Sequence, residues 1–146
     1  MNLFSRTCYL LLIAFLLVIA GCAAHNRSAA DTGRNDVLYV CDCGPQCSCN
    51  TVSAEPGKCA CGKDLKWTHV VKIEGDEALL CTCKQGCTCA IDAKDPSKCG
   101  CGMPLKRVSL KGTGIHFCNC GGSCFCNTVA AKAGQCRCGM PLKQSN

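Results

Sequence analysis

Six cysteines recur three times in this chain with an unchanging internal spacing, and that triplication limits its fold more than any other feature. Cys41, Cys43, Cys47, Cys49, Cys59 and Cys61 make the first set. Cys81, Cys83, Cys87, Cys89, Cys99 and Cys101 make the second, and Cys118, Cys120, Cys124, Cys126, Cys136 and Cys138 the third. Each follows Cys-x-Cys-x3-Cys-x-Cys-x9-Cys-x-Cys, although the sets lie 40 and then 37 residues apart. Because the spacers vary and the interior does not, the constraint falls on the sulfur geometry of a repeated unit. Every set also closes on Cys-Gly and a Leu-Lys pair: Gly62 with Leu65 and Lys66, Gly102 with Leu105 and Lys106, Gly139 with Leu142 and Lys143.

Composition points the same way. Twenty of 146 residues are Cys, well above the level of about 8–10% that marks a cysteine scaffold. After residue 21 the aromatic residues are Tyr39, Trp67, Phe117 and Phe125, too few to anchor an ordinary core. Units well below about 70–80 residues need disulfides, metal or assembly to stay folded. A large pocketed enzyme, a coiled coil and a multi-span membrane protein are thereby excluded.

The segments between the sets read as hairpins. Thr68 to Ile73 is rich in β-branched residues, Glu74-Gly75-Asp76-Glu77 turns the chain, and Ala78-Leu79-Leu80 runs into Cys81. Arg107 to Leu110, the turn Lys111-Gly112-Thr113-Gly114, and Ile115-His116-Phe117 repeat the pattern before Cys118. Residues Asp36 to Val40 supply the matching leading strand of the first set. Glycine and charged residues at the turns suit short hairpin connections, and no segment has helical length and periodicity. The expected fold is small, metal-stabilised, mostly irregular β, with Trp67 covering the first hairpin.

Cysteines one residue apart bring two thiolates to one ion. Thiolates are soft ligands that favour Zn(II) and Cu(I) and also hold iron–sulfur clusters. A structural zinc takes four ligands, so six per unit suit a bridged two-zinc cluster, a polynuclear Cu(I) cluster, or one zinc and a spare pair. Beyond Arg6, the chain holds 15 Lys and Arg against 10 Asp and Glu. Lys58, Lys98, Arg137 and the Leu-Lys lysines stand where they could offset anionic clusters. A nucleic-acid partner is not expected, because basic residues interleaved with aromatics are absent. His69 and His116 are expected as half-exposed strand residues, and Met103 and Met140 as turn-packing residues, with metal ligation the alternative for each.

Three resemblances add expectations. Arg6 precedes a 13-residue apolar run, Cys8 to Ala20, shorter than the about 20 residues of a spanning helix and typical of a signal peptide. Its end, Leu17-Val18-Ile19-Ala20-Gly21-Cys22, resembles the lipobox of bacterial lipoprotein precursors. That implies cleavage before Cys22, lipidation of its sulfur and amine, and stable anchoring by several acyl chains. With Ala23 next, the implied place is the outer membrane of the bacterial envelope, facing the periplasm. Pro56-Gly57-Lys58-Cys59-Ala60-Cys61-Gly62-Lys63-Asp64-Leu65 resembles the Pro-Gly-Lys-Cys-Pro-x-Cys-Gly-Met-x-Leu end of the bacterial heavy-metal-binding domain. Met103 and Met140 restore the family methionine that Lys63 replaces, and Tyr39-Val40-Cys41 echoes that domain's opening. This likeness implies tandem zinc-ribbon or rubredoxin-knuckle units that bind soft heavy metal. The Cys-x-Cys density more loosely resembles metallothioneins, whose cysteines hold polynuclear clusters.

The resulting division is a leader over 1–21, a lipidated tether over 22–36, and units over 37–67, 68–107 and 108–146. The expected function is membrane-anchored sequestration of soft metal ions (zinc, copper or cadmium) by all 18 repeat cysteines, with each unit folding around its metal. Two rivals remain open: a disulfide- or zinc-stapled interaction module, since exported cysteines normally oxidise, and an iron–sulfur electron carrier. Catalysis is not expected. The chain has no nucleophile–base set, paired carboxylates or phosphate loop, and one cysteine among 18 alike has no distinguishing activation.

Overall fold

The computed structural model describes residues 34–44, 48–83, 87, 89–121 and 125–146. The described residues contain strands and irregular loops and no helix. In chain order the strands are β1 (Val37–Val40), β2 (Val52–Ser53), β3 (Lys66–Glu74), β4 (Glu77–Cys81), β5 (Lys106–Ser109), β6 (His116–Phe117), β7 (Val129–Ala130) and β8 (Lys143–Gln144). Five form one antiparallel sheet in the order β2-β1-β3-β4-β5, and three form a second in the order β7-β6-β8. The small, mostly β fold expected from the sequence is present.

The sequence repeat becomes a repeat of register. The residue before each first cysteine pairs with the lysine of the Leu-Lys ending: Val40 with Lys66, Leu80 with Lys106, Phe117 with Lys143. A leading strand and a closing strand therefore frame every cysteine loop. An inner strand flanks the leading strand in the first and third units, where Val40 pairs with Val52 and Phe117 with Val129. In the second unit that edge of β4 is taken by β3, and the inner segment is reduced to a single bridge between Ile91 and Cys99.

The first expected hairpin forms. β3 and β4 pair from Glu74 with Glu77 down to His69 with Cys81, with an irregularity between Val70 and Lys72. The second does not. β5 pairs back onto β4, while β6 joins β7 and β8 in the other sheet. The open edge of β4 captures β5, so the turn near Gly112 connects two sheets. The large sheet is curled: Lys106 on edge strand β5 donates to the Cys41 carbonyl after β1 at 3.2 Å, although β3 and β4 lie between those strands.

The three units share one core. Leu38 and Val40 from the first unit pack with Val70, Ala78, Leu80, Leu110, Ile115, Phe117 and Val129. Phe117, Leu38, Leu80, Leu110 and Val70 are fully buried, each worth about 1.5–3 kcal/mol by removal from water. Short aliphatic strands pooled from three repeats supply the core that so few aromatic residues could not. Two residues just before β1 are bonded to other strands. The Asn35 carbonyl accepts from Val129 N at 2.7 Å and the Asp36 carbonyl from Val70 N at 2.8 Å.

Candidate metal centres

The end of each unit is a tight knuckle built identically three times. Cys59 N donates to the Lys63 carbonyl and Gly62 N to the Cys59 carbonyl, both at 2.9 Å, and Leu65 N donates to the Gly57 carbonyl at 2.8 Å. Cys99, Gly102 and Leu105 repeat this with Met103, Cys99 and Ser97, as do Cys136, Gly139 and Leu142 with Met140, Cys136 and Gly134. Gly62, Gly102 and Gly139 have φ of +80°, +83° and +83°, where an L side chain is strained. The Cys-Gly signature therefore fixes a turn that brings the last cysteine pair back toward the loop.

That loop leaves the leading strand at a buried cysteine: Cys41, Cys81 or Cys118. In the first unit the sulfurs of Cys41, Cys43, Cys49, Cys59 and Cys61 all lie within 4.8 Å of one another. Cys41 is 2.7 Å from Cys43 and 2.9 Å from Cys49, and Cys43 is 2.7 Å from Cys61. The second group is Cys81, Cys83, Cys89 and Cys101, with Cys83 and Cys89 2.8 Å apart. The third is Cys118, Cys120, Cys126 and Cys136, with Cys118 2.9 Å from Cys126.

Three more of the expected cysteines border these groups. Cys87 is 3.4 Å from Cys89, and Cys138 is 2.9 Å from both Cys120 and Cys136. Cys99 turns inward and packs with Val71 and Cys81 beside Ile91 and Leu105. Cys47 and Cys124 lie outside the described residues, as do Cys22 and the segment expected to be a leader.

Among the described residues no disulfide is formed. Sulfurs bonded to one another would be about 2.05 Å apart. A tetrahedral ion with metal–sulfur bonds of about 2.3 Å separates its ligand sulfurs by about 3.8 Å. The observed groups are compact enough for four sulfurs to close on one ion with a small outward adjustment. Their donor chemistry also fits: soft sulfur without interposed carboxylates suits Zn(II), Cu(I) or another soft ion.

The units differ electrostatically. The neighbouring Cys61 thiol, more than any other group, stabilises the Cys59 thiolate and lowers its pKa to about 6. Cys138 does the same for Cys136, also to about 6. In the second unit burial pushes Cys81, Cys83 and Cys89 up. There the solvent-facing Cys101 is lowered to about 7, chiefly by the Met103 backbone N–H.

Charge compensation differs from the expected pattern. Lys58 faces Asp64 at 3.7 Å, Lys98 faces Asp95 at 2.8 Å, and Lys66 and Lys143 face Asp42 and Asp76 at 2.7 Å. These lysines are therefore paired with carboxylates, and Lys143 also lies over the Phe117 ring. A cation reaches the second group from the segment expected to be tether: Arg34. Its Nη1 donates to the Cys87 carbonyl at 3.2 Å, while Nε and Nη2 donate to the Asp36 carboxylate, each at 2.9 Å. The Asp36 bond above all holds the guanidinium protonated, and the charges of Cys89 and Cys83 add to it. The signal was present as Arg34-x-Asp36 before a β-branched strand, but only the fold brings residue 34 to residue 87.

His69 is 2% exposed, not half-exposed as expected. It lies opposite Cys81 across the β3–β4 pair, with Nε2 2.7 Å from Asp36 Oδ2 and also against Arg34 Nη2. The sulfur groups do not include it. Trp67 stacks on His69 at 6.3 Å between ring centroids, and His116 is half-buried in β6. Met103 and Met140 are 41% and 54% exposed, so neither packs its turn as expected. The chain matches no protein family, no curated protein and no solved structure.

Proposed function

We propose that this chain binds and sequesters soft heavy-metal ions, Zn(II), Cu(I) or Cd(II), in three thiolate clusters. Each cluster draws on the six cysteines of its unit, with Cys47 and Cys124 completing the first and third. Each unit acts as a ribbon-like knuckle. Lipid on Cys22 holds the chain at the bacterial outer membrane, facing the periplasm, and no turnover takes place. One observation carries this reading: sulfurs gather in three separate groups, each spanning no more than 4.8 Å, beside an apolar core that all three units share. That core contains no sulfur ligand, so the ions need not be the fold's sole support and can serve as cargo.

The mature protein, purified without oxygen, is expected to carry bound metal by elemental mass spectrometry and to yield its repeat cysteines as thiols after metal removal. Protein without metal and with all 18 sulfurs in disulfides would overturn the proposal in favour of a stapled interaction module. Visible absorbance with acid-labile sulfide would overturn it in favour of an iron–sulfur carrier.

A further inference from the structure

Among the described cysteines of every unit, the sixth is the most exposed. Cys61, Cys101 and Cys138 are exposed, whereas the first and fifth cysteines, Cys41 and Cys59, Cys81 and Cys99, Cys118 and Cys136, are buried. The exposed sulfur lies at the outer corner of the knuckle, next to a glycine. Around Gly62, Gly102 and Gly139 there is open space where a side chain would begin.

A second feature separates the tips. Met103 and Met140 place a thioether in solvent two residues after Cys101 and Cys138. The first tip has Lys63 at that position, facing solvent beside Asp64. Singly exposed apolar side chains are ordinary; what sets these two apart is that both are thioethers at equivalent positions of two units.

We propose that metal enters and leaves each cluster through its knuckle tip, with Cys61, Cys101 and Cys138 as the exchanging ligands, and that Met103 and Met140 make the second and third tips prefer Cu(I). This rests on the metal-thiolate reading above. The partner is a carrier that presents the ion on thiol ligands. In the exchange, a bond forms between the tip sulfur and the ion as one carrier sulfur–metal bond breaks. The proton of the tip thiol passes to the departing carrier thiolate, and the ion keeps its oxidation state. The buried cysteines then replace the remaining carrier ligands. Thioether sulfur favours Cu(I) and offers little to Zn(II), so the methionines affect copper entry alone.

The test uses the whole chain, reduced and metal-free, given short pulses of substoichiometric Cu(I) or Zn(II) as dithiothreitol complexes. N-ethylmaleimide then labels thiols that hold no metal, and mass spectrometry reads protection unit by unit. Cu(I) is expected to protect the second and third units at least threefold faster than the first, and Zn(II) to show no such split. Met103→Leu with Met140→Leu should abolish the split, and Lys63→Met should bring the first unit level. Cys101→Ser should slow entry of both metals into the second unit at least tenfold, with the fold checked by circular dichroism.

A copper split that survives both leucine substitutions, or no split at all, overturns the thioether role. Undiminished entry in Cys101→Ser overturns the tip as the port, and so does limited labelling of metal-loaded wild type that begins at the first or fifth cysteines. Failure of either metal to protect any cysteine in the wild type is a different result, because it removes the metal-thiolate reading itself.

Discussion

Arg34 joins the neighbouring Asp36 carboxylate to two groups that the sequence keeps far away, the buried His69 ring and the carbonyl of Cys87. Arg34→Gln would leave Asp36 partly buried without its two-bond partner, at an expected cost of about 1–3 kcal/mol. Thermal unfolding followed by circular dichroism should show a midpoint several degrees lower, and an unchanged midpoint would rule out a structural clamp. Burial alone would push the Asp36 carboxyl up, but hydrogen bonds from Arg34 and His69 outweigh it and hold it below its ordinary 3.8. A depressed carboxylate contributes stability that is complete above its unfolded value and disappears as pH falls through the lower folded one. Acid unfolding of the wild type should therefore lie below pH 3.8 in its Asp36-dependent part, and Arg34→Gln should shift it upward. The thiols separate just as clearly. Thiolate is the reactive form, so alkylation of the metal-free reduced chain should rise at Cys101 with a midpoint near pH 7. At Cys81, Cys83 and Cys89, which burial raises above the ordinary 9.0, it should lag into alkaline solution. Simultaneous labelling of all four at one pH would contradict the burial of the second group.

The knuckles show at the scale of an element why one glycine per unit matters. Gly102 has φ +83° with open space around it, so Gly102→Ala introduces backbone strain without a clash. The left-handed conformation costs an L residue about 1–2 kcal/mol. Metal retention in the second unit should weaken accordingly, by roughly five- to thirtyfold, while the first and third units are unchanged. Unit-resolved competition with a chelator would read this, and equal weakening in all three would show that the strain spreads through the fold. The Cys-Gly and Leu-Lys signatures made these knuckles legible in sequence, because a knuckle depends on residues close along the chain, whereas the common register of β1 with β3, β4 with β5 and β6 with β8 joins residues 26 apart and was not. Which strand takes a free edge was not legible. The β-branched run Thr68 to Ile73 looks like a hairpin arm and is one, whereas Arg107 to Ser109 looks the same and joins β4 instead. The irregularity beside Val71 also has no local signal. Yet it accompanies the burial of Val71 against Cys81 and Cys99 and a hydrogen bond from Asn127 Nδ2 to the Val71 carbonyl at 2.7 Å.

For the whole molecule, the shared core decides what metal contributes. Repeats that fold one by one around their ions would lose capacity in proportion when one is removed. Here Leu110, Ile115, Phe117 and Val129 complete a core with Leu38, Val70 and Leu80, so removing residues 108–146 should unfold the remainder. Phe117→Ala, which opens a large cavity at a fully buried site, should cost about 3–5 kcal/mol and reach all three clusters. Sequence could not reveal this pooling, because each strand taken alone is too short and too poor in aromatics to suggest a core. The same arrangement predicts two distinct responses to metal withdrawal. Backbone bonds within β1, β3 and β4 lie among aliphatic side chains, whereas those of Cys59, Gly62, Cys136 and Gly139 close knuckles whose other support is the sulfur group. After anaerobic chelation, amide exchange should stay slow at Leu38, Val70 and Leu80 and become fast at Gly62, Gly102 and Gly139, since local opening follows the least supported bonds. Collapse of protection at all six together would mean that ions and core fold as one unit, and the clusters would then be structural, not cargo.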